Sequence, residues 1–401
     1  MKKILLFGDT RHDASFTQYW SKDILTSLTT LGEEGVYLDL ADKNFEYHLQ
    51  EILHEGISFV ISLYGVGLNI KVSDDEFLFN RLNIPVVCWM LDVLLSPNNF
   101  GLHLPLRHLL VACLNQEEIG WVRLINPSVR SAFFLPLGGS ERVSEPKKLI
   151  SERQIRLSYV GSFSPMFDRK WEGVPSGIEH ILNDVIDYVV VNPMCPILEA
   201  AKDVFRIRNI ELSNEIFVVF CRRYLNLANL YIREYCKQRV LDSFLNAGIS
   251  IDIFGQALVS SRGGWESWKN AKWARLHGPC SYEESLKVAE ESQIVVNAGI
   301  FPGGLHDRIS MGMLQGAVVF TDPSSYYREC FIDGKDSLSF DWSHMEEIPG
   351  KITSLLADPE RMQAMADLGR QKALEHHTWK SRMKRMLDVV RTYQAINGLE
   401  M

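Results

Sequence analysis

Between His277 and Asp322 the chain sets polar residues where a parallel sheet would present a ligand. Ile294 to Asn297 reads as a buried strand, Phe301 to Leu305 as a glycine-rich loop, Asp307 to Gln315 as a helix and Gly316 to Phe320 as the next strand. A loop that feeds a helix start leaves unpaired backbone N–H groups there, and the helix dipole adds partial positive charge, so the turn is an anion site. Gly303 and Gly304 open the loop, and His306 and Arg308 add two side chains suited to phosphate. A nucleoside diphosphate fits this chemistry. The plainer readings are an Arg308 paired with Asp307 or Glu329, a His306 that only completes its loop, and an Asn297 that caps the loop rather than holding a ligand hydroxyl.

Further candidates sit at other expected strand ends. Gly161 and Ser162, after the apolar run Ile155 to Val160, offer backbone N–H groups to a phosphate or make a simple turn. Asp9 and Asp92 each follow an apolar strand, where desolvation could raise a carboxyl pKa into the range of a general base. A helix N-cap or loop charge is the simpler account of both.

These residues need elements to place them. In the first 140 residues, strands at Ile4 to Phe7, Gly35 to Leu40, Ile57 to Leu63, Pro85 to Met90, Leu109 to Cys113 and Ala132 to Leu135 alternate with helices. Most are unbroken apolar runs, as expected of a parallel sheet covered on both faces. Pro136 to Lys148 reads as a linker, after which a second sheet begins. Leu182 to Val190 and Ile197 to Val204 belong to a helical insertion, and a helix over Ile232 to Leu245 leads to a strand at Ile251 to Phe254. The stretch Thr378 to Tyr393 predicts a basic amphipathic helix carrying Lys380, Arg382, Lys384, Arg385 and Arg391.

At 401 residues the chain exceeds one hydrophobic core and predicts two domains. A net charge of −8 argues against a nucleic-acid or anionic-membrane binder, whose affinity comes from lysines and arginines. The 7 cysteines form no CxxC pair, so neither a zinc site nor a disulfide framework is indicated. Asp9 and Arg11 follow the first apolar run too closely for a signal peptide, and no apolar run is long enough to span a membrane. A soluble, cytoplasmic protein is expected. Gly8-Asp9-Thr10 lacks the spaced glycines of a dinucleotide fingerprint, and neither a Gly-x-Ser-x-Gly elbow nor a P-loop is present, which disfavours the corresponding oxidoreductase, hydrolase and kinase classes.

The order of His277-Gly278-Pro279, Asn297, Gly303-Gly304-Leu305-His306-Asp307-Arg308, Gly316 to Asp322, and His377-Thr378-Trp379 with Arg382 resembles the C-terminal half of group 1 glycosyltransferases, in particular the CgeB-like, spore-maturation branch. Tyr159 to Ser162 and the segment from Arg239 to Gly255 extend the match upstream. The resemblance implies the GT-B fold: α/β, two Rossmann-like domains facing across a cleft, with a helical insertion in the second. Its expected divisions are an acceptor domain over 1–140, a nucleotide-sugar domain over 141–375 with the insertion at about 165–231, and a helix over 376–401 returning to the first domain. It also implies that His277, Gly278, Gly255 and Gln256 approach the base of the nucleotide, and that Asn297, Gly303, Gly304, His306, Arg308, Gly161 and Ser162 surround the diphosphate and sugar. One departure stands out. The family usually carries glutamates at the positions of Gly303 and Met311, the second holding the ribose, and a thioether is a weak acceptor. Asp307, Asp322 and Glu329 are near enough in sequence to substitute.

The expected activity is transfer of a sugar, a hexose on this resemblance, from a nucleoside diphosphate sugar to a glycan, protein or small-molecule acceptor. Arg308 would act on the leaving group, with Asp9 or Asp92 as base. No cofactor is expected, and no Asp-x-Asp triplet is present to hold a metal, so the reaction should be metal-independent. Two rival readings are a degenerate sugar-nucleotide-binding protein, motivated by Met311, and a phage-type DNA-modifying glucosyltransferase of the same fold. Donor base, stereochemistry and oligomeric state are not set by the sequence.

Overall fold

The computed structural model describes residues 2–11, 15–96, 99–142, 148–162, 169–255 and 271–399. They form two compact units, one of Met1–Ser140 with His377–Met401 and one of Glu141–His376.

In the first unit the strands are β1 (Lys3–Gly8), β2 (Gly35–Asp39), β3 (Ile57–Leu63), β4 (Lys71–Ser73), β5 (Glu76–Phe77), β6 (Val86–Trp89), β7 (Leu109–Cys113) and β8 (Ser131–Phe134). Six of them pair in parallel in the order β2-β1-β3-β6-β7-β8, while β4 and β5 make a separate antiparallel hairpin that the sequence did not announce. The central strands are buried along their whole length, as their apolar runs require. Parallel strands need crossovers, supplied here by α1 (Ser15–Thr30), α2 (Phe45–Glu55), α3 (Leu78–Arg81) and α4 (Glu118–Ile125). Because β2 and β3 flank β1 on opposite sides, the strand order reverses at β1. Gly8-Asp9 lies at that switch point, where open α/β sheets bind ligands.

The second unit repeats the plan with β9 (Ile155–Val160), β10 (Ile251–Phe254), β11 (Ala274–Leu276), β12 (Ser292–Val296), β13 (Val318–Thr321) and β14 (Leu338–Ser339). All six are parallel, in the order β11-β10-β9-β12-β13-β14, so the reversal falls between β9 and β12. Ile294 pairs with Leu157 on one side and with Val318 on the other. Between β9 and β10 stand α5 (Ser176–Val191), α6 (Ile197–Ile207), α7 (Asn214–Phe220) and α8 (Asn226–Asn246), with a π-helical turn at Cys221–Leu225 joining the last two. The helix expected over Ile232 to Leu245 therefore begins earlier, at Asn226, and α7 was not foreseen. Phe205 of α6 packs against Phe217 and Phe220 of α7, at centroid distances of 6.0 and 5.0 Å, which gives the insertion its own apolar centre. The remaining helices are α9 (Tyr282–Glu291), α10 (Asp307–Leu314), α11 (Ser325–Cys330), α12 (Ile348–Leu356) and α13 (Pro359–His376).

The last helix, α14 (Trp379–Asn397), belongs to the first unit. Thr378 caps it by accepting from the Ser381 N–H over 3.2 Å. Trp379 is buried, with ring centroids 5.4 Å from Trp20 and 5.6 Å from Trp89, and its indole N–H donates to Ser140 Oγ over 3.1 Å. The expected linker is tight here: a Cβ on Gly138 would stand 2.7 Å from the Trp379 backbone. The basic face expected on this helix needs one correction. Arg382 is buried, its Nε donating to the Leu137 carbonyl and its Nη2 lying 3.0 Å from His377 Nδ1, so it serves the fold, while Arg391 pairs with Glu33. Trp379→Ala should destabilise the first unit by about 3–5 kcal/mol, read as a lowered denaturant midpoint for its transition. A change below about 1 kcal/mol would show that the three tryptophans do not anchor the helix.

Candidate functional site

Arg308 is the second residue of α10, and its side chain runs to the point where the second sheet reverses. Nε donates to the carbonyl of Val160, the last residue of β9. Nη1 donates to Asn297 Oδ1 over 3.2 Å and to His306 Nε2 over 3.1 Å. The guanidinium lies 5.1 Å from the centroid of the buried Tyr159 ring, a cation–π contact. Neither Asp307 nor Glu329 pairs with it, so the ordinary reading of a surface arginine is not what the structure holds.

His306 and Asp307 explain why. His306 Nδ1 stands 2.5 Å from Asp307 Oδ1. A guanidinium only donates, so His306 Nε2 must accept from Arg308, and the single proton of the neutral ring then sits on Nδ1 facing the carboxylate. The Arg308 N–H also points at Nδ1, over a longer 3.3 Å, and the carboxylate contact dominates it. Burial, then the neighbouring Arg308 charge, push the His306 pKa down to about 4. Burial works the other way on Asp307, but His306 and Arg308 bring it down to about 2. At neutral pH the site thus holds an ionised Asp307, a neutral His306 and a charged Arg308.

Asn297 follows β12 and is buried, with its N–H donating to the Phe320 carbonyl over 2.8 Å. Its side chain gives Oδ1 to Arg308 and Nδ2 to Thr321 Oγ1 over 2.9 Å, and Thr321 Oγ1 lies 3.2 Å from Asp322 Oδ1. Burial raises the Asp322 pKa to about 7. Both ends of the Asn297 amide are engaged within the protein.

Gly161 and Gly255 are required by close approach. A methyl on Gly161 would come within 2.5 Å of Arg308 Nη2, and one on Gly255 would overlap the Gly161 carbonyl oxygen. The Gly161 N–H donates to the Phe254 carbonyl over 2.8 Å, which joins the two loops. Ser162 is exposed, and its carbonyl accepts from Lys237 Nζ over 3.1 Å. Lys237 is buried on α8 and ion-paired with Glu234. Sequence reasoning passed over Lys237 and Tyr159, since the one is a lysine in a mixed-charge helix and the other an aromatic in a buried strand. Gln256 lies outside the described residues.

The structure distributes the other expected residues unevenly. Gly303 and Gly304 are buried, and the Gly304 carbonyl accepts from Ser324 Oγ over 2.6 Å, so α11 pins the loop. His277 stacks on Phe254 at a centroid distance of 4.2 Å, and its Nε2 lies 2.7 Å from Asp252 Oδ1; Gly278, at φ +74°, forms the turn after it. In the first unit Asp9 is gripped at both oxygens by Arg11, at 2.8 Å each. Asp92 accepts from the Val93 N–H over 2.9 Å. Met311, at the position expected to bear a ribose-binding carboxylate, is buried, with Ser285 Oγ 3.5 Å from its sulfur. Of the proposed substitutes, Asp307 is committed to His306, Asp322 is buried and Glu329 is exposed.

Two parallel six-stranded sheets, each in a Rossmann-like unit, define an α/β protein of the GT-B class. Solved structures carry the same fold. An α-glucosyltransferase crystallised with UDP and DNA superposes with a TM-score of 0.55 at 12% identity, covering 97% of this chain and 99% of the other. The sucrose-phosphate synthase of Thermosynechococcus elongatus gives 0.52 at 10% identity, covering 99% and 100%. Residues 233–388 match the family model described as glycosyl transferase-like. No curated protein sequence matches the chain significantly.

The depressed His306 pKa has a measurable sign. With a folded pKa near 4 against about 6.5 unfolded, the contribution of neutral His306 is complete above about pH 6.5 and is lost as pH falls toward 4. The second unit should lose on the order of 2 kcal/mol between pH 6.5 and 5 by urea titration. His306→Gln should flatten that slope; an equal slope in the variant would place the titration elsewhere.

Proposed function

We propose that the chain transfers a hexosyl group from a UDP-sugar to an acceptor hydroxyl, without a metal ion. The observation that carries this reading is Arg308, held at the β9–β12 switch point beside the start of α10 by partners that leave its charge unneutralised. Glycosyl transfer from such a donor breaks the anomeric C–O bond and leaves negative charge on the diphosphate. In this reading Arg308 receives that charge, with Lys237 contributing at Ser162. The uridine base is supported by the α-glucosyltransferase of like fold, which was solved with UDP. Acceptor binding falls to the first unit, whose switch point presents Asp9; because Arg11 occupies both Asp9 oxygens, Asp92 is the better candidate for the base. Placement in the CgeB-like branch rests on the motif matches, with Met311 as the departure.

The acidic balance of −8 weighs against a nucleic-acid acceptor. We place the protein in the cytoplasm: among the described residues no helix is long and apolar enough to cross a membrane, and the cysteines are free thiols.

Arg308→Ala should raise the UDP dissociation constant by about 10- to 100-fold, the worth of a charge-assisted hydrogen bond or two, while thermal stability falls by only a few degrees. Arg308→Lys should recover little, because a lysine cannot reach Val160, Asn297 and His306 with one planar fork. Normal calorimetric affinity for UDP in the folded alanine variant would end this reading. Turnover of UDP-glucose should be unchanged in excess chelator; abolished turnover, restored by a divalent ion, would remove the metal-independent mechanism.

A further inference from the structure

We propose that Thr321 and Asp322 are positioning residues: they fix which way the Asn297 amide faces, and through it hold Arg308 in its diphosphate-binding pose. The inference rests on the reading of Arg308 given above.

An amide side chain has an acceptor end and a donor end, and the two are chosen by what surrounds them. Arg308 Nη1, 3.2 Å away, can only donate, so Asn297 must turn its oxygen toward it. The Nδ2 end then meets Thr321 Oγ1 at 2.9 Å and, more weakly, the Gly299 carbonyl at 3.5 Å. A threonine hydroxyl has one proton. If it accepts from Asn297, that proton must go elsewhere, and Asp322 Oδ1 at 3.2 Å takes it, with the Asp322 carbonyl at 3.3 Å as a second acceptor. The order of donors thus runs in one direction, from Asn297 to Thr321 to Asp322. Without the Asp322 carboxylate only the longer contact to the 322 backbone carbonyl would hold the hydroxyl proton, and a hydroxyl that turned to donate to Asn297 would set the flipped NH₂ against the guanidinium.

The burial of Asp322 supports a task beyond packing. It is only 4% exposed, and its Oδ2 has no hydrogen-bond partner, an arrangement that costs stability. A purely structural site would favour an apolar or fully satisfied side chain. A proton taken up at Oδ2 would leave Oδ1 still accepting from Thr321, so the relay persists whether the carboxyl is charged or neutral.

The test uses the full chain and UDP as the probe, with binding by calorimetry. Thr321→Val, which keeps the shape and removes the hydroxyl, should weaken UDP about five- to tenfold, and Thr321→Ser should bind as wild type. In an Arg308→Ala background Thr321→Val should add nothing, because the group it positions is gone. Asp322→Ala, which removes the side-chain acceptor, should also weaken UDP and carries the test alone if Thr321→Val does not fold. For UDP-glucose, Thr321→Val should raise KM, as a misplaced binding group does. Folded Thr321→Val and Asp322→Ala proteins with wild-type affinity, or an equal loss in the Arg308→Ala background, would overturn the relay. If Arg308→Ala itself binds UDP normally, the diphosphate reading fails first and takes the relay with it; if Arg308→Ala is weak and Thr321→Val is not, only the relay fails.

Discussion

The buried amide of Asn297 is the joint on which the second unit's site depends. It can be one because of strand order: β12 lies between β9 and β13, so a residue just past its end reaches groups from both neighbours. Arg308 links this amide to the Val160 carbonyl at the end of β9, and Thr321 links it to the end of β13. A buried amide left unpaired would cost about 1–3 kcal/mol per group. Each end of this one is satisfied, so stability and side-chain orientation are enforced by the same contacts.

The electrostatics follow from which partner each charge receives. Arg308 bonds a carbonyl, an amide oxygen and a neutral imidazole, all acceptors without formal charge. The carboxylate nearest in sequence, Asp307, is given to His306 instead. That exchange keeps the imidazole proton on Nδ1, frees Nε2 to accept, and leaves the guanidinium without a directly paired carboxylate. In the first unit the direct pair forms instead: Arg11 occupies both oxygens of Asp9, two residues away.

Much of the fold was legible because both sheets are parallel and doubly covered. Strands such as Ile57–Leu63, Leu109–Cys113 and Ile251–Phe254 are short, mostly apolar and largely buried, and their limits could be read to the residue. The insertion was less legible, since α7 mixes exposed Ile216 and Val219 with buried Phe217 and Phe220 and shows no clean apolar stripe. Within the site, Arg308 could be found because loop and helix start are contiguous in sequence. Lys237 could not: it meets Ser162 across 75 positions, and nothing in α8 marks one lysine from another. His277 was placed near the ligand by resemblance, yet Asp252 and Phe254 of β10 occupy its ring.

Met311 shows how the local departure and the network fit together. Where the resembled family places a carboxylate, this chain buries a thioether on the side of α10 that faces Ser285 of α9. Desolvating a carboxylate there would require a donor stronger than one hydroxyl, since an isolated buried charge costs far more than a hydrogen bond returns. The methionine instead makes the α9–α10 contact apolar. On the proposed function, with no carboxylate at that position to hold a ribose, donor affinity would draw more heavily on the diphosphate. That places a greater demand on Arg308 being held in a single pose, and the Asn297 amide, the neutral His306 and the close approach of Gly161 meet it together.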